Sequence, residues 1–253
     1  MLKMIQGHRG SSEHYPENTL LSFKKAIEEG ANAIEMDIKK TADGEFIVMH
    51  DKTVDRTTGG TGLVNELDSA YILGLDAGAW KGAEFANRPD TKVPRLADIL
   101  DYFRGADVFL ILQPSFANEE DHLAMYEMVA DRSMIHQVVF FGGPGLKRIK
   151  QINPNAYCHN DGMPDLTKYA HVLTRAVQDS LDAVSVHANA GGMEQIVSHV
   201  HREGKAVHIS YLTRQYEEQA TRLIDLGVEF ILGNDCAAMM EVVRRKGLTL
   251  AIP

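Results

Sequence analysis

Glu35 and Asp37 lie two residues apart in the run NAIEMDI (32–38), which has the composition of a strand. Side chains two apart on a strand point to one face, so these two carboxylates share it. The next apolar run, FIVM (46–49), ends at His50, and Thr41-Ala42-Asp43-Gly44-Glu45 separates the two. That segment is short, polar and contains Asp-Gly, the mark of a tight hairpin. A turn centred on Asp43-Gly44 pairs residues whose numbers sum to about 87, which sets Asp37 across from His50. His8-Arg9-Gly10 follows a further strand-like run, KMIQG (3–7).

Two carboxylates beside imidazoles are costly to bury among apolar groups, so they call for water or a cation. Hard oxygen ligands suit Mg²⁺ or Ca²⁺. A cation so held can polarise a non-bridging phosphate oxygen. One imidazole can take a proton from a nucleophile while the other gives one to a leaving alcohol, because imidazole titrates near neutral pH. The planar fork of Arg9 suits a phosphate. Each residue alone has a plainer role, in structure or in solvation. It is the joint placement that points to metal-assisted cleavage of a phosphodiester.

The elements that must position these residues alternate along the chain. Strand candidates cover 3–7, 32–38, 46–49, 108–112, 137–141, 156–159, 182–187, 206–211 and 229–232. Helical patterns fit 18–29, 95–104, 118–131, 144–151, 164–179, 191–203, 214–226 and 236–246. In the first of these helices Leu21, Phe23, Ala26 and Ile27 form one stripe, and Gly30 follows as a C-terminal signal. Repeated strand–helix units imply parallel strands joined by crossover helices. If 46–49 is an antiparallel return strand, eight staves remain. The expected fold is an α/β (β/α)₈ TIM-type barrel, with a doubly wound sheet as the alternative. Barrels keep their sites at the C-terminal ends of the strands, where His8, Glu35 and Asp37 would meet. Residues 51–93 are rich in Gly, Asp and Thr without a clear period. They read as an insertion at that rim within a single domain spanning 1–253.

The chain has 253 residues, enough for one such barrel, and 44% of them are apolar. Its net charge of −9, with no basic run beyond Arg244-Arg245-Lys246, argues against a nucleic-acid partner; the expected partner is a small-molecule phosphodiester. Cys158 and Cys236 are far apart and form no CxxC, so two reduced buried thiols are expected. No signal-peptide core or long apolar run is present, which implies a cytoplasmic protein with no membrane span. Homo-oligomerisation is left open.

The stretch from 5 to 101 resembles the glycerophosphodiester phosphodiesterase family. HRGSSEHYPENTLLSF is similar to that family's HRG–PENT opening. GANAIEMDIKKTADGEFIVMHDKTVDRTTGGTG is similar to its E-x-D, D-G, HD and D-R-T-T stretch, and VPRLADILD to its Pro-x-Leu helix start. The resemblance implies His8 and His50 as acid and base, Arg9 as phosphate ligand, Glu35 and Asp37 as metal ligands, and a barrel with an insertion. Glu17 and Asn18 match PENT; Asn18 either touches the site or caps the following helix. Asp51, Arg56 and the neighbouring threonines are expected to hold the loop after His50.

Downstream the sequence departs from the family pattern. Where the family has E-x-K, this chain reads VFLILQPS. Ile111 and Gln113, or Gln113 and Ser115, take those places, and neither pair offers a carboxylate or an ammonium. Gln113 could still give an amide oxygen to metal or phosphate, or be a plain rim residue. Phe140-Phe141 stands for Ser-Phe, Tyr211 for Trp, and Gly233-Asn234 for Thr-Asp. Tyr211, His159 and His187 are candidates for pocket or core. The expected function is hydrolysis of a glycerophosphodiester or related polyol or sugar phosphodiester. The alternative is a degenerate member that binds such a ligand without turning it over.

Overall fold

The structure is a computed structural model of the chain and describes residues 3–160 and 166–253, without the side chains of residues 166–169 and 211. Among the described residues nine strands form one sheet: β1 (Met4–Gly7), β2 (Ala33–Lys40), β3 (Phe46–Val48), β4 (Phe109–Pro114), β5 (Val138–Phe141), β6 (Tyr157–His159), β7 (Ala183–His187), β8 (Ala206–Leu212) and β9 (Phe230–Gly233). Eight of them run parallel, and pairing of β1 with both β9 and β2 closes the barrel. Among the described residues only β3 is antiparallel, added to the far end of β2.

Helices α1 (Leu20–Glu28), α3 (Leu96–Phe103), α4 (Glu119–Asp131), α5 (Leu146–Ile152), α6 (Leu166–Gln178), α7 (Met193–Arg202), α8 (Tyr216–Asp225) and α9 (Cys236–Arg245) link the staves, and short α2 (Ser69–Ile72) lies between β3 and α3. The strands alternate as a barrel requires. Ile5, Ile34, Met36, Ile38, Leu110 and Leu112 belong to the large cluster packed with helix residues such as Phe23, Leu96 and Leu100. Met4, Ala33, Ile111, Val139, Phe141 and Phe230 form a separate, smaller cluster, the apolar filling of the barrel. Cys158 and Cys236 are buried free thiols.

Residues between β3 and α3 surround a small apolar cluster of Ile47, Met49, Val54, Val64, Ile72, Ala77 and Val93. Several side chains join this segment to neighbouring loops. Asp43 in the β2–β3 turn accepts hydrogen bonds from Ser69 N at 2.9 Å and Ser69 Oγ at 2.7 Å. Lys81 Nζ donates to the carbonyls of Ser12 and Glu13 at 2.8 and 2.9 Å.

The hairpin register differs by one from the expectation. Lys39 faces Ile47 and Ile38 faces Val48, so Asp37 lies across from Met49 rather than His50. Thr41 N donates to Glu45 O at 3.0 Å, which closes a loop of three residues ending in Gly44 at φ +88°. Three-residue hairpin loops place a residue in the left-handed region at this point, and Gly44 supplies it. His50 is thereby carried past the strand end, onto the rim.

The turn after β1 is left-handed at Arg9 (φ 55°) and Gly10 (φ 86°). A Cβ on Gly10 would come within 2.3 Å of Ser22 Oγ and 2.6 Å of the Ser22 carbonyl carbon. Strain and overpacking therefore add, and Gly10→Ala is expected to destabilise the fold by about 2–4 kcal/mol, read as a lowered midpoint in urea unfolding.

Candidate active site

β2 carries the acidic centre. Glu35 is fully buried and Asp37 is 5% exposed, on the face that looks into the barrel. Two buried carboxylates repel each other and lose hydration. Burial first, and the Asp37 charge second, push the Glu35 carboxyl well above its ordinary range. The turn after β1 answers this charge. Arg9 N–H donates to Glu35 Oε2 at 3.0 Å, and its Nε lies 3.0 Å from Asp37 Oδ2. That ion pair lacks the alignment of a hydrogen bond. Asn18, also left-handed at φ 56°, donates Nδ2 to Asp37 Oδ2 at 2.9 Å. Thr19, not Asn18, caps α1, its hydroxyl accepting from Ser22 N at 3.3 Å. The side chain of Asn18 is thus committed to the site.

Glu35 Oε1 is buried and has no hydrogen-bond partner among the described residues. Asp37 Oδ1 also accepts no hydrogen bond among them. Gln113 stands beside Asp37 on β4, in strand register, and Ile111 beside Glu35. Ile111 is sealed in the apolar filling, whereas Gln113 is half-buried one step higher. Among the described residues, no three His, Cys, Asp or Glu side chains converge as a ready metal cluster.

His8 and His50 are held differently. His8 Nδ1 lies 2.7 Å from Asn234 Oδ1. An amide oxygen only accepts, so Nδ1 carries the proton and Nε2 is the basic nitrogen. Desolvation, followed by the charge of Arg9, lowers the His8 pKa to about 4. His50 is 46% exposed, and its Nδ1 donates to Asp51 Oδ1 at 2.7 Å. Asp51 also holds Arg56, whose Nε donates at 2.6 Å. That hydrogen bond is the main reason its carboxyl sits well below the ordinary range. Arg56 donates in turn to both oxygens of Glu17, at 3.0 and 2.7 Å. Glu17 accepts from Arg9 Nη1 at 2.8 Å. A chain His50–Asp51–Arg56–Glu17–Arg9–Asp37 thus ties the exposed imidazole to the buried acids. The expected loop-holding role of Asp51 and Arg56 is present in these contacts.

His8, Arg9, Glu35 and Asp37 come together as their spacing implied, Gln113 stands next to them, and His50 joins through the charged chain. Asn234 was legible only as a departure after the last strand, with nothing tying it to His8. His159 belongs to the barrel interior: it is fully buried against Phe141, Tyr157, Phe230 and His208. His187 ends β7, with Nδ1 accepting from Asn189 N at 3.2 Å. The side chain of Tyr211 lies outside the described residues.

A (β/α)₈ barrel with acids, imidazoles and a guanidinium at its mouth defines a class of barrel enzyme, and the comparisons fix it as a phosphoric diester hydrolase. The chain belongs to the glycerophosphoryl diester phosphodiesterase family, whose sequence model matches residues 8–238. It is 28% identical over 258 residues to a glycerophosphodiester phosphodiesterase of Caldanaerobacter subterraneus subsp. tengcongensis, covering 98% of this chain and 100% of that protein. Human glycerophosphodiester phosphodiesterase 1 is 44% identical over 92 residues, covering 36% of this chain and 27% of that one. In fold, the chain is similar to an Oleispira antarctica phosphodiesterase solved with its product sn-glycerol-3-phosphate, with a TM-score of 0.82, 24% identity, and 96% and 97% of the two chains covered. An Agrobacterium tumefaciens glycerophosphodiester phosphodiesterase matches at a TM-score of 0.80 and 24% identity, over 96% and 100%. No helix of the described residues is long and apolar enough to cross a membrane.

The His8 pKa of about 4 lies below the ordinary 6.5, so folding favours the neutral ring. As pH falls below 6.5, the unfolded chain takes up a proton that the folded chain refuses, and stability declines down to about pH 4. A histidine NMR titration is expected to show the His8 ring neutral throughout the range from pH 6 to 8; protonation near pH 6.5 would contradict this desolvated setting.

Proposed function

We propose that this chain hydrolyses a glycerophosphodiester, or a closely related polyol or sugar phosphodiester, to a phosphomonoester and an alcohol. One juxtaposition carries the reading. His8, Arg9 and the Glu35–Asp37 pair meet at one end of the barrel, with a buried carboxylate oxygen that has no partner among the described residues. The names of the relatives supply the substrate class.

His8 acts as general base, because its ring is neutral at physiological pH and its proton sits on Nδ1. Nε2 takes the proton of the attacking oxygen. His50, oriented by Asp51, gives a proton to the leaving alcohol. Arg9 reaches the phosphate through Nη2, since Nη1 donates to Glu17 and Nε faces Asp37. Gln113 contributes its amide at the rim.

The donors fit a divalent cation, Mg²⁺ or Ca²⁺. Glu35 and Asp37 would hold it with Gln113 as a neutral third oxygen, and Mg²⁺ is often held by one or two carboxylates plus substrate phosphate. Bound there, it would polarise a non-bridging oxygen and offset developing charge. With only two carboxylates the grip is weak, which favours a second reading: a chain that binds a phosphodiester without turnover.

A panel of glycerophosphodiesters and sugar phosphodiesters, assayed for alcohol release with Mg²⁺, Ca²⁺ or EDTA, separates these readings. Turnover with metal and its loss in EDTA are expected. His8→Ala and His50→Ala should each lower kcat/KM at least about 100-fold. No turnover of any diester, with product binding retained, would decide for the binder. Gln113→Glu restores a third carboxylate and is expected to lower the Mg²⁺ concentration for half-maximal activity about tenfold. An unchanged Mg²⁺ dependence would remove Gln113 from the cation's ligands.

A further inference from the structure

A cleft of about 910 Å³ opens beside His50, between the β2–β3 hairpin, the segment after β3 and the loop from β4 to α4. Lys39, Asp51 and Lys52 line it with His50, and Phe116 and Asn118 join from the loop after β4. Lys39 follows Asp37 by two residues on β2 and so shares its face. The acids of this cleft are already engaged. Asp51 holds Arg56 and His50, while Asp121 holds Lys40 and accepts from Asn118. Lys39 is half-buried and Lys52 exposed, and neither ammonium has a hydrogen bond or ion pair among the described residues. The uncompensated charge of the cleft is therefore positive, in a protein whose net charge is −9.

We propose that this cleft receives the alcohol half of the diester, and that Lys39, aided by Lys52, selects alcohols bearing a second negative charge such as a phosphoryl or carboxylate group. The proposal rests on the reading of His50 as acid toward the leaving alcohol, because the cleft opens on that ring. Asp37 and Asp51 act on the Lys39 charge from a distance, but a half-buried ammonium with no direct partner still gains from an anion brought next to it. A quaternary ammonium head group would instead meet like charge, which adds discrimination by repulsion.

The test compares kcat/KM for glycerophosphocholine, glycerophosphoglycerol and glycerophosphoinositol 4-phosphate in the wild type, Lys39→Gln, Lys39→Arg and Lys52→Gln. The wild type is expected to prefer the phosphorylated diester to the choline diester by at least about tenfold. Lys39→Gln should reduce that ratio about tenfold, mainly through KM, and Lys39→Arg should recover most of it. An active enzyme whose ratio moves in neither Lys39→Gln nor Lys52→Gln overturns the proposal. Calorimetric binding of the free alcohols, inositol 4-phosphate and choline, tests the cleft without turnover. Inositol 4-phosphate should bind Lys39→Gln about tenfold more weakly than the wild type. If no diester is cleaved but that difference holds, the hydrolytic reading fails and the cleft assignment stands. If inositol 4-phosphate binds both proteins equally, the cleft assignment fails whatever the turnover.

Discussion

Two carboxylates on one sealed strand face are the constraint around which the mouth of this barrel is arranged. Glu35 and Asp37 cannot both stay ionised out of water unless positive charge is brought to them. The chain brings it from the turn after β1, through a backbone N–H and a guanidinium of the same residue, Arg9. That turn must run left-handed to aim the N–H at Glu35, a conformation costing of order 1 kcal/mol or more for a residue with a Cβ. Gly10 follows because the backbone then passes against Ser22. Asn18 takes a left-handed conformation for the same end, since its side chain both donates to Asp37 Oδ2 and accepts from the Asp37 N–H. Arg9 and Asn18 thus both take this conformation where they face the acids.

The fold was legible because its periodicities are strong. Alternation of short apolar runs with amphipathic segments specified the parallel strands and their helices, and the expected bounds fall close to the observed ones. The site was legible where chemistry lies along one strand or just after it: His8, Arg9, Glu35 and Asp37. The hairpin register was not, because Asp43-Gly44 admits both two- and three-residue loops, and the choice is made by Thr41 pairing with Glu45. Pairings across long separations were silent as well. Asn234 meets His8 from 226 residues away, and Arg56 reaches Glu17 across 39. Nothing local in either sequence neighbourhood announces its partner.

The barrel interior below the mouth adds a second polar layer. His208 sits between Ser185 Oγ at 2.8 Å and Gln6 Oε1 at 2.8 Å, with Ser210 bonded to Ser185. Burial lowers the His208 pKa to about 3, so the ring stays neutral and acts as a bridge between hydroxyl and amide. The layer adds no ionised group beneath Glu35 and Asp37. It therefore leaves the charge balance of the mouth to Arg9, to any bound cation and to the substrate.

The two histidines differ in the way a directional proton transfer needs. His8 is neutral because it is desolvated, and an amide fixes its proton on Nδ1. His50 stands in solvent, and a carboxylate that is itself locked by Arg56 orients it. In the proposed reaction the unprotonated Nε2 of the neutral His8 ring takes the proton of the attacking oxygen. The proposed reaction gives the acid's part to His50, whose place at the open edge leaves its ring in reach of water. The same edge adjoins the lysine-lined cleft, which is why the proposed leaving alcohol is assigned to that side. In the proposed reading, charge at the acids, direction of the proton and choice of alcohol all follow from one arrangement: a buried acidic pair on β2 with Lys39 continuing the same strand face outward.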